Sequence, residues 1–250
     1  MDERIQKIIS NAGYCSRRKA EEFIQEGRVQ VDGNVATIGQ KASPDAEIKV
    51  DNIIIARSKK IYLMLNKPSG YTCTLSDPFE KKTIAKLIPI PERVYPIGRL
   101  DKNARGIILL TNDGNFANKL MHPRYEVQKT YHVELDKEYD TKYSEHVRKG
   151  ITLKDGVVTG NITKLGKERV QIVIHEGRKH IVKRLFMKLG YYVKDLLRVA
   201  IGPVELDVKP GQTRSLKKEE VEKLMQAAKN VSGSKQHTPS SPKEIRKKRR

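Results

Sequence analysis

The residues with the most chemical promise lie in the run Gly98-Arg99-Leu100-Asp101-Lys102-Asn103-Ala104-Arg105. One carboxylate, Asp101, stands among the cations Arg99, Lys102 and Arg105, and nearby positive charge favours its ionised form. The run leads into Ile107-Ile108-Leu109-Leu110, apolar enough for a buried strand, and ends in the strong turn signal Thr111-Asn112-Asp113-Gly114. A charged acid held at the end of a core strand is a candidate catalytic group. An acid in a turn also commonly does no more than bond its own backbone, so its surroundings must decide.

Other chemistry is thinly represented. The two cysteines, Cys15 and Cys73, have neither metal-ligand spacing nor a disulfide-framework pattern, and the six histidines are scattered. His175 and His180 straddle a strand-to-helix turn and read as facing RNA or solvent rather than a metal. No metal is expected. Lys and Arg number 50 against 30 Asp and Glu, a formal net charge of +20, which points to a polyanionic partner, nucleic acid above all. No apolar run reaches the length of a membrane span and the N-terminus lacks a signal-peptide stretch, so a reduced, cytoplasmic protein is expected, with no membrane partner.

The elements that must position Asp101 can be read from periodicity. Ile5, Ile8 and Ile9 recur at helical spacing, and Ser16 is placed to cap a second helix over 17–26 whose apolar side is Ala20, Phe23 and Ile24. Val29, Val31 and Val35 flank the turn Asp32-Gly33-Asn34, and further strand follows at 48–50 and 53–55. Arg17, Arg18 and Lys19 crowd the first turn of the second helix, where they oppose the helix dipole; phosphate binding explains them better than propensity does, and Arg28 extends the patch.

After the charged joint 57–60 come a buried strand (61–65), the turn Asn66-Lys67-Pro68-Ser69-Gly70, a short helix (83–87) and, past the Asp101 run, a helix over 116–121 with Asn115 as its cap. Lys129 to Leu135 alternates as a strand, placing Tyr131 with Val133 and Leu135. A helix over 140–149 and strands near 157–162 and 170–174 follow. Gly177 is expected to open a helix with Ile181, Val182, Leu185 and Phe186 inside and Arg178, Lys179, Lys183 and Arg184 around them. Irregularly mixed strands and helices under short Gly and Pro turns indicate an α+β fold with a mixed, largely antiparallel sheet.

Two resemblances organise these pieces. The run SRRKAEEFIQEGRVQVDGNVA resembles the small S-four-like RNA-binding domain that a small-subunit ribosomal protein shares with several RNA-modifying enzymes; Asp32 stands where that pattern commonly has Asn. Asn66-Lys67-Pro68-Ser69-Gly70, Gly98-Arg99-Leu100-Asp101 with Leu109 to Gly114, Lys129-Thr130-Tyr131, and Glu176-Gly177-Arg178 leading to Lys183-Arg184 follow one another as in the RNA pseudouridine synthases of the branch that modifies ribosomal RNA. The resemblance implies an RNA-binding domain over 1–59, a catalytic domain over 60–228 and a basic, disordered tail over 229–250.

It also implies the chemistry. Uridine within RNA is isomerised to pseudouridine with no imported group and no redox change, hence no cofactor. Asp101 acts on the sugar, Tyr131 stacks on the uracil, and Lys183 pairs with Asp101 where many relatives carry Arg. Arg99 fills the gap left by the flipped nucleotide, and Lys67, Arg178 and Arg184 join Arg17, Arg18, Lys19 and Arg28 as RNA contacts. Ala104 and Ile181 stand where the family usually has Thr and Gln. The partner implied is ribosomal RNA or a pre-ribosomal particle, the large subunit favoured over the small, with the protein a monomer. The rival readings are a non-catalytic ribosome-assembly protein and, less well supported, a DNA-binding regulator.

Overall fold

The computed structural model describes residues 2–229 apart from positions 44 and 57; the expected tail, beyond Lys229, lies outside the described residues. At the front, α1 (Ile5–Asn11) and α2 (Arg17–Gln25) pack on a small sheet of β1 (Val29–Val31), β2 (Asn34–Val35), β3 (Ile48–Val50) and β4 (Ile53–Ile54), in the antiparallel order β2-β1-β3-β4. Ser16 caps α2, its Oγ accepting the Lys19 amide at 3.1 Å. Asp32 takes the left-handed conformation (φ 48°) that Asn also tolerates, and its Oδ1 accepts the Glu47 amide at 2.9 Å, so the turn survives the exchange.

The remainder of the chain is built on a larger sheet of β5 (Tyr62–Lys67), β6 (Arg105–Thr111), β7 (Lys129–Leu135), β8 (Asn161–Lys164), β9 (Arg169–Ile174), β10 (Val193–Ile201) and β11 (Thr213–Ser215). The order is β8-β9-β7-β10-β6-β5-β11, and along it only β10 and β6 run parallel. The helices are α3 (Gly114–Met121), α4 (Lys142–Lys149), α5 (Ile181–Lys188) and α6 (Lys218–Ala227). Alternation along the strands feeds two cores. Leu63, Leu65, Ile108, Leu110, Tyr131 and Val133 face α4 and α5, whereas Met64, Ile107 and Leu109 face α3 and α6. The α+β architecture and the mixed, mostly antiparallel sheet are those expected.

Several boundaries differ for local reasons. Helix α3 starts at Gly114 and is capped by Asp113 rather than Asn115, because Oδ1 of Asp113 accepts the amides of Asn115 and Phe116. The helix expected from Gly177 begins at Ile181, after His180 has turned the chain in a left-handed conformation (φ 54°). The 83–87 helix is a 3₁₀ turn, Ile84–Leu87. The stretch 157–162 divides: Gly156–Val158 forms a hairpin with Ile151–Leu153, and Asn161 onward joins the main sheet.

The turn after β6 acts as a clamp. Asn112 accepts the Ile61 amide at 2.8 Å and donates to Ser58 Oγ and Lys59 O; Asp113 accepts from Tyr62 OH and Lys60 Nζ, both at 2.9 Å. Ser58 in turn donates to Asn11 O, so these bonds join the connecting segment to the units on either side of it.

The parallel pairing of β6 with β10 depends on Gly106. Its φ is +110°, and a Cβ there would come 2.2 Å from Arg198 O. Gly39 also has a positive φ (+78°) but nothing within 4 Å of the Cβ position. Gly39→Ala is therefore expected to cost only the left-handed penalty of about 1–2 kcal/mol, a melting shift of roughly 2–8 °C. Gly106→Ala must also push β6 and β10 apart, and should shift the midpoint by at least twice as much. Thermal unfolding followed by circular dichroism checks this; equal shifts would refute the close-approach argument.

Candidate active site

The loop that carries Asp101 is fastened from below by one buried side chain. Lys67, the last residue of β5, is fully buried, and its ammonium donates to the carbonyls of Pro68 (3.0 Å), Lys102 (3.0 Å) and Ala104 (2.6 Å). Three donors meet three acceptors, so the charge is buried with its hydrogen bonds complete. Burial draws the Lys67 ammonium below the usual lysine range, opposed by the neighbouring Cys73 and Asp101. Gly70 N donates to Lys102 O at 2.8 Å, Ser69 Oγ to Asn103 O at 3.2 Å, and Leu100 N to Cys73 Sγ at 3.2 Å. Lys67 is thus a structural cation, and the expectation that it touches RNA is corrected: it is fully buried and all three of its donors are spent on the loop.

Asp101 opens onto a cleft of about 910 Å³. Its walls include Cys73, Thr74, Arg99, Asp101 and Ala104 on one side and Glu176, Lys179, His180 and Ile181 on the other, with Lys129, Tyr131, Leu196 and Arg198 contributed by the sheet. Tyr131 is buried to 6% exposure on β7, where alternation directs it into the core that underlies the cleft. Asp101 keeps 29% of its side chain exposed, and its Oδ1 lies 3.2 Å from His180 Nε2.

That contact departs from the expected one. Lys183 is not among the cleft-lining residues and forms no ion pair with Asp101; its charge acts on Asp195. The reason is the late start of α5: Ile181 and Val182 turn inward to the cleft, and Lys183 lies a further 100° around the helix. Asp195 itself is held below the usual carboxylate range chiefly by its hydrogen bonds to Arg105. The cationic setting read around Asp101 is likewise divided: Arg105 pairs with Asp195 and Lys102 with Glu80, leaving Arg99, exposed on the cleft wall, without an ion pair among the described residues.

Other expected RNA contacts are also engaged. Arg178 bonds Glu176, the Asp155 side chain and carbonyl, and Val157 O; Arg184 meets Asp155 with both terminal nitrogens at 2.9 Å. Together they staple the 151–158 hairpin to the cleft wall. In the front unit, Arg28 is bidentate on Asp51 and lies over the Phe23 ring, and Lys19 pairs with Glu22. Arg17 and Arg18 are exposed and carry no ion pair among the described residues. These surface pairs are weak and exchangeable, whereas the Arg178 cluster is tied into the fold.

Sequence reasoning did not single out Lys129, Arg198 or the pairing role of His180. Arg198 carried a signal: an arginine inside Leu196-Leu197-Arg198-Val199-Ala200-Ile201, an otherwise apolar strand. Burial, then the charge of Arg198, brings the Lys129 ammonium down to about 8, with Glu176 opposing. Among the described residues no group of three His, Cys, Asp or Glu is placed to hold a metal, and no helix is long and apolar enough to cross a membrane.

Known proteins are similar to this chain. A family model described as RNA pseudouridylate synthase matches residues 61–188, and one described as S4 domain matches 3–48. A protein of Aquifex aeolicus (strain VF5) named an uncharacterized RNA pseudouridine synthase is 43% identical over 237 residues, covering 91% of this chain and 95% of its own. Ribosomal large subunit pseudouridine synthase B of Bacillus subtilis (strain 168) is 39% identical over 232 residues, 89% of this chain and 95% of its own. A solved structure described as a pseudouridylate synthase has a TM-score of 0.67 at 32% identity, covering 88% of this chain and 99% of that one.

Lys67→Met would leave three buried carbonyls of the Asp101 loop without a donor. The expected result is a loss of at least about 2 kcal/mol in denaturant unfolding, with a fall in turnover and unchanged RNA affinity. A fall in affinity with stability intact would return Lys67 to the RNA contacts.

Proposed function

The chain belongs to the RNA pseudouridylate synthase family, and on that premise we propose that it isomerises one uridine of large-subunit ribosomal RNA to pseudouridine in the cytoplasm. Residues 1–59 hold the RNA and residues 60–228 carry the chemistry. The observation that supports this best is the position of Asp101: a carboxylate fixed by its loop, open to a nucleotide-sized cleft, with the buried ring of Tyr131 among the cleft-lining residues. The choice of the large subunit rests on the name of the Bacillus subtilis relative.

The reaction breaks the N1–C1′ bond, turns the uracil while it is held, and joins C5 to C1′. Asp101 acts at the sugar, either by attack on C1′ or by removing a sugar proton. Tyr131 stacks against the base. A stacked uridine cannot reach Asp101, so the nucleotide must leave the helix, and Arg99, exposed at the cleft wall and without an ion pair among the described residues, takes its place. His180 occupies the Asp101 carboxylate until the nucleotide displaces it, and Lys183 acts at one remove, through Asp195. The enzyme works as a monomer and without a cofactor, since an isomerisation imports no group and changes no oxidation state. Arg17 and Arg18 supply sequence-blind phosphate contacts, with Lys19 and Arg28 joining them once their surface pairs open.

The test is pseudouridine mapping by carbodiimide labelling and primer extension on ribosomal RNA from cells lacking the protein, complemented with wild type or Asp101→Ala. One large-subunit site should vanish and return only with wild type. In purified form, Asp101→Ala should lose about 10⁴-fold or more in rate while still binding RNA. Restoration of the site by Asp101→Ala, or no missing site on the large subunit, would overturn the reading in favour of a binding-only protein or another RNA.

A further inference from the structure

Arg198 is the most confined cation on the cleft. It is buried to 4% exposure on β10, and its Nε donates to Ile107 O at 2.8 Å, which fixes the plane of the guanidinium. Its Nη2 is buried with no hydrogen-bond partner among the described residues. The residue nonetheless lines the cleft. Its place is set by a bulge: Thr130 lies opposite Ala200 but Tyr131 opposite Arg198, so Val199 is the extra residue, and Arg198 becomes the cross-strand neighbour of Tyr131. Lys129, two residues from Tyr131 on the same strand and the same face, also lines the cleft; its Nζ donates to Val127 O. A buried guanidinium donor left unpaired is unfavourable unless a ligand completes it.

We propose, on the basis of the function above, that Arg198 forms the floor of the nucleotide subsite: its free amino group binds a carbonyl oxygen of the flipped pyrimidine and carries part of the negative charge there while the base is detached. Depth favours the base over a phosphate. Lys179, exposed and without an ion pair among the described residues, is available at the wall for the backbone, whereas a flat ring is the portion of a nucleotide that reaches the level of Tyr131. When N1–C1′ breaks, its electron pair stays on the base, spread over N1, O2 and O4. A donor held at one of these oxygens takes up that charge without reorganising. The charge leaves the oxygens when C5 bonds to C1′; C5 then gives its proton to water and N1 takes one up, so the product is an isomer of the substrate and nothing is oxidised or reduced.

The experiment uses the full chain and an RNA stem-loop centred on the uridine that the mapping identifies, carrying uridine, 2-thiouridine or 4-thiouridine there. Arg198→Gln should lower the single-turnover rate about 10²–10³-fold while the RNA Kd stays within about twofold. Sulfur at the contacted position, a weaker acceptor, should slow wild type about tenfold or more and leave Arg198→Gln no slower than it is with uridine. The thermal midpoint and Arg198→Lys, which keeps the charge, accompany both: sulfur sensitivity in the Lys variant reports the contact even where lost packing has lowered the rate. An unchanged rate in Arg198→Gln refutes the subsite. Weakened binding with a salt slope reduced by about one assigns Arg198 to a phosphate instead. Equal sulfur effects in wild type and Arg198→Gln make it a structural residue. Wild type inactive on every ribosomal RNA removes the function and the subsite together; active wild type with an indifferent Arg198 removes the subsite alone.

Discussion

Everything at the cleft depends on a lysine ammonium buried beneath the loop that presents Asp101. A charge taken out of water is unfavourable unless its hydrogen bonds and a counter-charge replace the solvent. Lys67 meets both conditions: three carbonyls close around it, and Asp101 lies near enough to favour its charged form. The dependence is mutual. The loop from Lys102 to Ala104 follows its course because the ammonium collects its carbonyls, and the ammonium can be buried there because the loop supplies them. The acid is thereby fixed by a backbone held from behind, with its side chain turned to the cleft, where it meets His180. Ala104, which stands where the family usually carries Thr, contributes through its carbonyl, a contact any residue type can make.

The sheet performs the other half of the assembly. Asp101 precedes β6, Tyr131 lies on β7 and Arg198 on β10 between them, so three strands distant in sequence meet at one level of the cleft. The parallel pairing of β10 with β6 lets this happen, and it requires the absence of a side chain at Gly106. The bulge at Val199 then shifts the alternation of β10: Ile201 comes opposite Lys129, on the face that carries Tyr131 and Arg198, and Leu196, Arg198 and Ile201 all line the cleft.

What could be read from the sequence, and what could not, divides along the same line. The strand and turn that bring Tyr131 and Asp101 to one cleft, and the front unit, were legible because each belongs to a contiguous run whose order and periodicity are local properties. Partners were not. Arg105 meets Asp195 across 90 positions, Arg184 meets Asp155 across 29, and Lys102 meets Glu80 across 22. A cation's neighbours in the chain say nothing of these. Counting charges around Asp101 therefore gave the right sign for the region and the wrong partners. His180 was missed because its contact arises from a helix that starts four residues later than Gly177 suggested, a boundary set by one left-handed residue.

The division between engaged and free cations also explains how one very basic chain can bind RNA broadly and still place one nucleotide finely. Arg178, Arg184, Lys67 and Arg198 are buried or tied to carboxylates and carbonyls of the fold; dissolved salt screens such contacts little. Arg17, Arg18, Arg99 and Lys179 are exposed and have no ion pair among the described residues. Their attraction for phosphate is long-ranged, blind to sequence and weakened by salt. In the proposed reaction the first set fixes the geometry that a flipped base encounters, and the second governs how readily RNA arrives. Because the two sets share no residue, raising the salt concentration should release RNA well before it loosens the cleft. Net charge, so prominent in the sequence, thus describes the approach of the substrate and not the reaction. In the proposed reaction, a few cations that a solvent-facing count would leave out set the geometry around Asp101.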